Sequence, residues 1–112
     1  MNRKFEVIFL EDVVDFLQKL DEKAREKVIY NIDKATYVND PKLFKKLNDH
    51  IWEFRTIYKK TQYRILAFWD KNDKTETLVL TTHGFIKKTQ KTPKSELEKA
   101  EKIRSLYLKE NK

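Results

Sequence analysis

The chain has 112 residues, a formal net charge of +7, and a composition of 39% hydrophobic and 38% charged residues. This length predicts one domain over residues 1–112 with a single modest core, and seven Phe, five Tyr and two Trp argue against intrinsic disorder. Without cysteine there is neither a disulfide framework nor a cysteine metal site, and without a signal-type or membrane-length apolar run we expect a cytoplasmic protein with no membrane partner.

The first half of the chain predicts a strand followed by two helices. Residues 4–9 are rich in β-forming side chains and alternate loosely. Residues 11–20 place apolar side chains on one helical face, and a second helical repeat runs over 24–35. Asp21 is predicted to cap the second helix, which should end near Tyr37, ahead of a turn-forming Asn-Asp-Pro sequence.

The second half predicts three strands in meander order. Residues 51–58 alternate between two faces, 62–70 form a second strand, and 75–83 form a third after a polar turn at 71–74. Consecutive strands joined by short turns are antiparallel. Gly84, the only glycine of the chain, is expected to close the third strand.

A last helix is predicted after a basic connection. Thr92-Pro93 should begin it, because proline suits the first helical position, and an alternative start is a capping box of Ser95 with Glu98. The basic segment at 42–50 is interpreted as a connection. The predicted order is therefore β-α-α-β-β-β-α, an α+β domain whose helices pack on a mostly antiparallel sheet.

The positive charge is concentrated in two segments. Residues 42–64 hold seven basic and two acidic side chains, a net of +5, and residues 84–94 hold four lysines and no acid, a net of +4. The rest of the chain therefore carries +7 − 9 = −2. Such a field favours a phosphate-rich partner through counterion release, although lysine-rich loops can also be plain solvated surface.

Several familiar kinds of catalytic site do not fit the sequence. A Gly-rich phosphate loop is excluded by the single glycine, and the two histidines, His50 and His83, lack metal-ligand spacing. Both serines fall on the predicted last helix without a nucleophile elbow. We therefore expect no metal and no cofactor, and the candidate chemistry rests on cationic side chains.

Two arginines lie on neighbouring predicted strands, and the basic stretch that starts at Gly84 follows the third. Arg55 shares a strand face with Glu53, which is near enough to pair with it, while the aromatic side chains beside them are expected on the core face. Arg64 shares its face with Leu66 and Phe68, so it forms either a salt bridge at the rim or a phosphate clamp. Antiparallel pairing can bring both arginines and the basic stretch to one side of the sheet.

The strings HIWEFR, YRILAFW and TLVLTTHGFIKKTQKTP, with the A-x-x-I-R pattern of the last helix, resemble the RelE/ParE toxin superfamily. They are most similar to its HigB-like, phage-related branch, whose pattern has an (L/I)WELR strand, a YR(I/V) strand and HGF-x-KKTQKTP. The resemblance extends over about the whole chain and implies a RelE-like microbial RNase fold.

The resemblance also implies a function and partners. HigB-like and RelE-like toxins of type II toxin–antitoxin systems are ribosome-dependent endoribonucleases that cut mRNA in the decoding site and so inhibit translation. The expected partners are a helix-turn-helix, HigA-like antitoxin, the ribosome with its mRNA, and operator DNA bound only as the toxin–antitoxin complex. Cleavage would use the 2′-OH of the RNA as nucleophile, without a metal.

Residue roles follow from the same resemblance. The arginine of the YR strand falls on Arg64, the expected main stabiliser of the transition state, and the WELR arginine falls on Arg55. Lys87 and Lys88 correspond to the basic residues after the third strand, which bind or act on the phosphate. His83 is a candidate acid or base, or else a histidine bonded to backbone. The expected RNA-backbone contacts are Lys45, Lys46, Lys59, Lys60 and Lys91.

Two alternatives remain open at this point. The chain could be a ParE-like toxin that inhibits gyrase by binding, although that branch generally lacks the cationic cleavage set. It could also be a non-catalytic nucleic-acid-binding domain that keeps the basic face. In one respect the sequence departs from RelE, because the basic stretch from Gly84 to Pro93 has no tyrosine to stack on a base, and Phe85 is its only aromatic ring.

Overall fold

The structure, a computed structural model that describes residues 2–70 and 78–111, has a five-stranded sheet with helices on both faces. In chain order the elements are β1 (Glu6–Phe9), α1 (Glu11–Lys19), α2 (Glu22–Ala35), β2 (Phe44–Lys46), β3 (Trp52–Tyr58), β4 (Thr61–Asp70), β5 (Leu78–Lys87) and α3 (Lys94–Glu110). The predicted turn at 71–74 and the first residues of the predicted third strand, 75–77, lie outside the described residues. None of the helices in the described part of the chain is both long and apolar enough to cross a bilayer.

The sheet is mostly antiparallel, as the sequence predicted. Its strand order is β1-β5-β4-β3-β2, with β3, β4 and β5 forming an antiparallel meander and β1 pairing parallel to β5 at one edge. The predicted element order was wrong in one place, because β2 lies inside the segment interpreted as a connection. Its three residues pair with Phe54, Glu53 and Trp52 of β3. A strand this short carries too few residues to show an alternating pattern.

Two separate cores lie on the two faces of the sheet. On one face, Val13 and Leu17 of α1 and Val28 and Ile32 of α2 pack against the sheet around Ile65. On the other face, α3 places a fully buried Ala100 in a smaller core; its sheet residues are Leu66, Phe68 and Leu80. The face shared by Arg64, Leu66 and Phe68 is therefore the one that α3 covers.

The helix ends follow from local chemistry. Asp21 caps α2 as predicted, since its carboxylate accepts a hydrogen bond of 2.9 Å from the backbone N–H of Ala24. The helix ends at Ala35, two residues before the predicted end. In α3, Pro93 occupies the cap position without a side-chain hydrogen bond, and the helix begins at Lys94. Pro93 is thus the residue before the first helical position, where the sequence predicted it at the first helical position. The alternative start, with Ser95 as the cap, is wrong.

Gly84 does not close β5, which continues to Lys87. It pairs with Ile65 inside the sheet, and its φ is not positive. The glycine is required by a close approach instead, because a Cβ at this position would lie 2.3 Å from Cδ2 of Phe16 on α1. The absent side chain therefore lets α1 pack directly onto β5. Because β5 continues past Gly84, Lys87 belongs to the sheet.

Candidate functional site

Three adjacent strands bring cationic side chains to one end of the sheet. Arg55 on β3 is the register partner of Arg64 on β4, and Gln62 on β4 is the partner of Lys87 on β5. Paired residues share a face, and so do residues two apart along a strand. Arg55, Arg64 and Lys87 therefore all project to the α3 side of the sheet, beyond the smaller core.

Arg64 is buried, with only 2% of its surface exposed. Its Nη2 donates to Oε1 of Gln62 at 2.7 Å, and its Nη1 donates to the backbone oxygen of Tyr63 at 3.2 Å. Its Nε lies 3.3 Å from Oε1 of Glu53 but at an angle that makes this contact an ion pair without a hydrogen bond. The structure therefore places Arg64 in an internal ion pair, where the sequence had suggested one at the rim.

The ionisation of Arg64 responds to this burial. Desolvation lowers the pKa of the guanidinium, the Glu53 carboxylate raises it, and the Arg55 charge lowers it. Arginine stays protonated in proteins even after such a shift. Arg64 is therefore a permanent positive charge beneath the surface, and its field acts on the groups around it.

Glu53 is the acid at the centre of this cationic group and is only 1% exposed. Its Oε1 lies 3.3 Å from Nε of Arg64 and 3.5 Å from Nε of Arg55. Its Oε2 accepts a hydrogen bond of 2.5 Å from Oγ1 of Thr92. The pairing of Glu53 with Arg55, which the sequence suggested from their spacing, is present, and the same carboxylate also serves Arg64.

Arg55 differs from Arg64 in its accessibility. Its side chain is 29% exposed, against 2% for Arg64. Within the part of the chain that the structure describes, its two terminal nitrogens have no hydrogen-bond partner. The forked edge that binds phosphate oxygens is therefore available on Arg55, while the same edge of Arg64 is occupied.

A cleft of about 270 Å³ opens beside these groups. Its walls come from β2, β3, the end of β5, the loop that precedes α3, and the first turns of α3. The lining residues are Lys45, Leu47, Glu53, Arg55, Lys87, Gln90, Lys91, Thr92 and Leu97. Four of these nine side chains are cationic and only one is acidic, so the cleft is suited to an anion with an apolar part.

Lys87 has an altered ionisation in this setting. It is partly buried, and desolvation is the largest of the effects that lower the pKa of its amine. The positive charges of Arg64, Arg55 and Lys45 lower that pKa further, while Glu53 raises it. A lysine whose ammonium form is disfavoured can accept a proton near neutral pH more often than a surface lysine can.

The other predicted cations are distributed around the cleft. Lys45 and Lys91 line it, whereas Lys46, the next residue along β2, points to the opposite face. Lys59 and Lys60 form the two-residue turn between β3 and β4, exposed and with positive φ values of 48° and 67°. Lys88 is exposed just after β5.

His83 lies away from the cleft. Its ring is 3% exposed, with Nε2 at 3.0 Å from Oε1 of Glu96 and Nδ1 at 3.1 Å from Oγ1 of Thr82. Phe85 follows it on the same face at a ring separation of 6.0 Å and stands between it and Lys87. Within the described residues both ring nitrogens contact side chains, which differs from the backbone bond that the sequence left as one alternative. Burial is the largest of the effects that lower the pKa of its imidazole.

Five of the nine residues that line the cleft carried no predicted site role, and two of these five, Glu53 and Thr92, are bonded to each other. Glu53 was treated only as a partner for Arg55, and Thr92 only as a helix start. A signal for Glu53 was available, since it is one of two acids among the nine charged residues of 42–64 and lies two positions from Arg55. Thr92 gave no such signal, because its contact with β3 spans 39 residues of sequence.

No metal centre forms among the described residues, where no three His, Cys, Asp or Glu side chains lie together. The polar groups that line the cleft are three amines, one guanidinium group, one amide, one hydroxyl and one carboxylate.

Comparison with protein families gives one informative match. The sequence model described as "Phage derived protein Gp49-like (DUF891)" matches residues 15–105, which include every residue that lines the cleft. This family belongs to the RelE/ParE-like toxin superfamily. A search of the curated proteins finds no match.

Proposed function

Because this chain belongs to the Gp49-like family of phage-derived proteins, within the RelE/ParE-like toxin superfamily, we propose that it is the toxin of a type II toxin–antitoxin system that cleaves mRNA on the ribosome. The observation that carries the proposal is the convergence of Arg55, Arg64 and Lys87 from three paired strands at one cationic cleft. A HigA-like, helix-turn-helix antitoxin that covers this face, and binds operator DNA together with the toxin, is part of the same proposal.

The cleft accounts for binding of the RNA backbone. Arg55 offers to the scissile phosphate the forked edge that no described residue occupies, where two parallel N–H···O bonds match phosphate geometry. Lys45 and Lys91 neutralise neighbouring phosphates as point charges, and Lys59, Lys60 and Lys88 extend the positive surface beyond the cleft. The ribosome is itself a polyanion, so the net charge of +7 favours association with it.

Lys87 is the proposed proton acceptor. Desolvation and neighbouring cations increase the fraction of its amine that is neutral, and the neutral amine takes the proton of the 2′-OH. The 2′-oxygen then attacks phosphorus while the bond to the 5′-oxygen breaks, and the leaving oxygen takes a proton from water. The products are a 2′,3′-cyclic phosphate and a 5′-hydroxyl, and no metal takes part in the proposed step.

Arg55 and Arg64 have different roles in this mechanism. Arg55 contacts the phosphorane oxygens, where charge develops in the transition state. Arg64 contributes a fixed positive charge from beneath, which disfavours the ammonium form of Lys87 and stabilises the charged phosphate at short range. The structure thus favours Arg55 over Arg64 as the residue in direct contact with the substrate.

The test is induction of the protein in growing cells, followed by primer extension on a translated mRNA. Wild type should give codon-linked cuts, and the double variant Arg55→Ala/Lys87→Ala should give none. Lys34→Ala, an exposed lysine on α2, removes a charge outside the cleft and should cut like wild type. A toxic wild type that gives no cuts but changes the supercoiling of plasmid DNA would overturn the nuclease proposal in favour of gyrase inhibition.

A further inference from the structure

The carboxylate of Glu53 is an unexpected group to find inside a site for RNA. It lines the cationic cleft, yet its side chain is only 2% exposed. A negative charge at this place repels a phosphate, and burial of an unpaired carboxylate is strongly unfavourable. The presence of an acid in this position is therefore explained by its contacts with neighbouring side chains.

Glu53 connects three segments of the chain through its two oxygens. Oε1 is shared between the Nε atoms of Arg55 on β3 and Arg64 on β4. Oε2 accepts the hydroxyl proton of Thr92, which belongs to the loop between β5 and α3. This loop supplies Gln90 and Lys91 to the cleft wall, so one carboxylate sets both the arginine pair and the loop.

The contact with Arg55 has a specific geometric consequence. Glu53 approaches the guanidinium at Nε, at 3.5 Å, so the two terminal nitrogens remain unpaired within the described residues. Without that contact, a partly exposed arginine side chain samples several rotamers. Catalysis by charge stabilisation requires a donor that is already aimed, since a displacement of about 1 Å can cost about 10²-fold in rate.

We infer that Glu53 is a positioning residue of the proposed nuclease site: it aims Arg55 at the scissile phosphate and fixes the basic loop through Thr92. The inference rests on the proposed function, because it assigns Glu53 a part in that same cleavage. It also makes an unusual prediction about charge. Neutralising Glu53 removes a repulsive charge from the cleft, so RNA binding and RNA cleavage should change in opposite directions.

The experiment compares Glu53→Gln, which keeps the shape of the side chain, with wild type in two assays. Binding of a fluorescein-labelled single-stranded oligoribonucleotide, followed by anisotropy, should become roughly two- to fivefold tighter at low salt. Cleavage of a ribosome-bound mRNA should fall at least about tenfold. Glu26→Gln, an exposed acid on α2, makes the same charge change outside the cleft and should alter neither assay measurably.

Two further variants isolate the bond to the loop without changing any charge. Thr92→Val removes the hydroxyl and should slow cleavage roughly tenfold while leaving RNA binding unchanged. Thr92→Ser keeps the hydroxyl and should restore cleavage to near the wild-type rate. A role of Thr92 in folding alone would instead appear as a lower melting temperature with proportional losses in both assays.

The outcomes separate cleanly. Tighter binding with slower cleavage in Glu53→Gln, together with rescue by Thr92→Ser, supports the inference. Equal cleavage by Glu53→Gln and wild type overturns it, and so does a parallel loss of binding and cleavage that tracks a fall in stability. Absence of cleavage by wild type itself overturns the proposed function, which is a different result from any variant effect.

Discussion

Arg55 and Arg64 are directly opposed on neighbouring antiparallel strands, and both have their Nε within 3.5 Å of the same Glu53 oxygen. Like charges placed opposite each other destabilise a sheet unless an opposite charge lies between them. The two arginines nevertheless differ: Arg64 is buried with its terminal nitrogens bonded, whereas Arg55 is partly exposed and its terminal nitrogens have no hydrogen-bond partner among residues 2–70 and 78–111. We therefore expect substitutions of Arg55 and Arg64 to have different effects.

We expect Arg55→Ala and Arg64→Ala to separate cleavage from stability. Arg55→Ala should slow mRNA cleavage by about 10²-fold or more, because the phosphate loses its forked donor. It should change the melting temperature little, since partly exposed ion pairs contribute about 0–1 kcal/mol. Arg64→Ala removes the internal partner of a buried carboxylate and should cost about 3 kcal/mol, or roughly 10 °C in melting temperature.

The measurement for the arginine pair is primer extension beside thermal denaturation followed by circular dichroism. Arg55→Lys is the conservative control, since it keeps the charge and loses the fork. Wild-type cleavage by Arg55→Ala would mean that its free edge does not contact the substrate. Unchanged stability of Arg64→Ala would mean that the internal ion pair does not hold the strands.

Lys87 should titrate below the usual lysine value of about 10.5. Desolvation lowers the pKa of its amine, and the neighbouring cations lower it further. The neutral amine is therefore populated at a lower pH than an ordinary lysine value implies. Since Glu53 raises that pKa, Glu53→Gln should shift the titration midpoint lower, and Arg55→Ala should shift it higher.

Nuclear magnetic resonance of the lysine side chains provides the measurement. The ε-methylene signal of Lys87, assigned by its loss in Lys87→Arg, should change at a pH below the usual lysine value. Opposite shifts in the Glu53→Gln and Arg55→Ala variants are the diagnostic result. A Lys87 midpoint at or above the usual lysine value would contradict the proposed role as proton acceptor.

His83 should affect stability more than cleavage. Burial lowers the pKa of its imidazole below the unfolded value of about 6.5, so the unfolded chain binds the extra proton first as the pH falls. The stability contributed by the neutral ring is fully present above about pH 6.5 and is lost as the pH falls towards the lower folded pKa. His83→Gln removes the titrating group and should flatten the pH dependence of the melting temperature in this range.

The comparison for His83 is a series of melting curves between pH 7.5 and pH 5 for wild type and His83→Gln. Asp12, Glu96 and Lys99 are the other charged groups that act on the imidazole, so their variants serve as controls for the same window. The variant should still cleave mRNA at neutral pH, at a rate within about threefold of wild type. A loss of cleavage with an intact fold would return His83 to the set of acid–base candidates.

The two-lysine turn between β3 and β4 should have a more strained backbone than the same turn built from Asn and Gly. Lys59 and Lys60 both adopt positive φ, a conformation that favours Asn-Gly in two-residue hairpins. Lys59→Asn/Lys60→Gly should therefore stabilise the protein by about 1 kcal/mol. It should also weaken RNA binding and reduce its salt dependence, because two exposed charges are lost.

Denaturant unfolding and anisotropy titrations at two salt concentrations measure the two effects of the turn change. Lys59→Gln/Lys60→Gln removes the same charges without relieving the backbone and serves as the control. Equal stability of the Asn-Gly variant and wild type would show that the turn stores no strain. RNA binding equal to wild type would show that the turn lies outside the RNA path.

The sequence determined most of the fold because its signals are local. Helical spacing identified α1 and α2, Asp21 marked the start of α2 through a contact within three residues, and alternation identified β3 and β4. β2 has only three residues, and Gly84 is explained by a side chain on α1 far away in sequence. Those two features depend on contacts between distant segments, which periodicity does not encode.

For the candidate site, the sequence determined which cations are present, and that they follow neighbouring strands. Only the tertiary structure decided which of them share the cleft: Arg55, Lys45, Lys87 and Lys91 line it, while Arg64 lies beneath and His83 lies apart. The physical reason is burial. Residue type gives the charge of a side chain, but packing decides whether that charge meets water, a substrate, or an internal carboxylate such as Glu53.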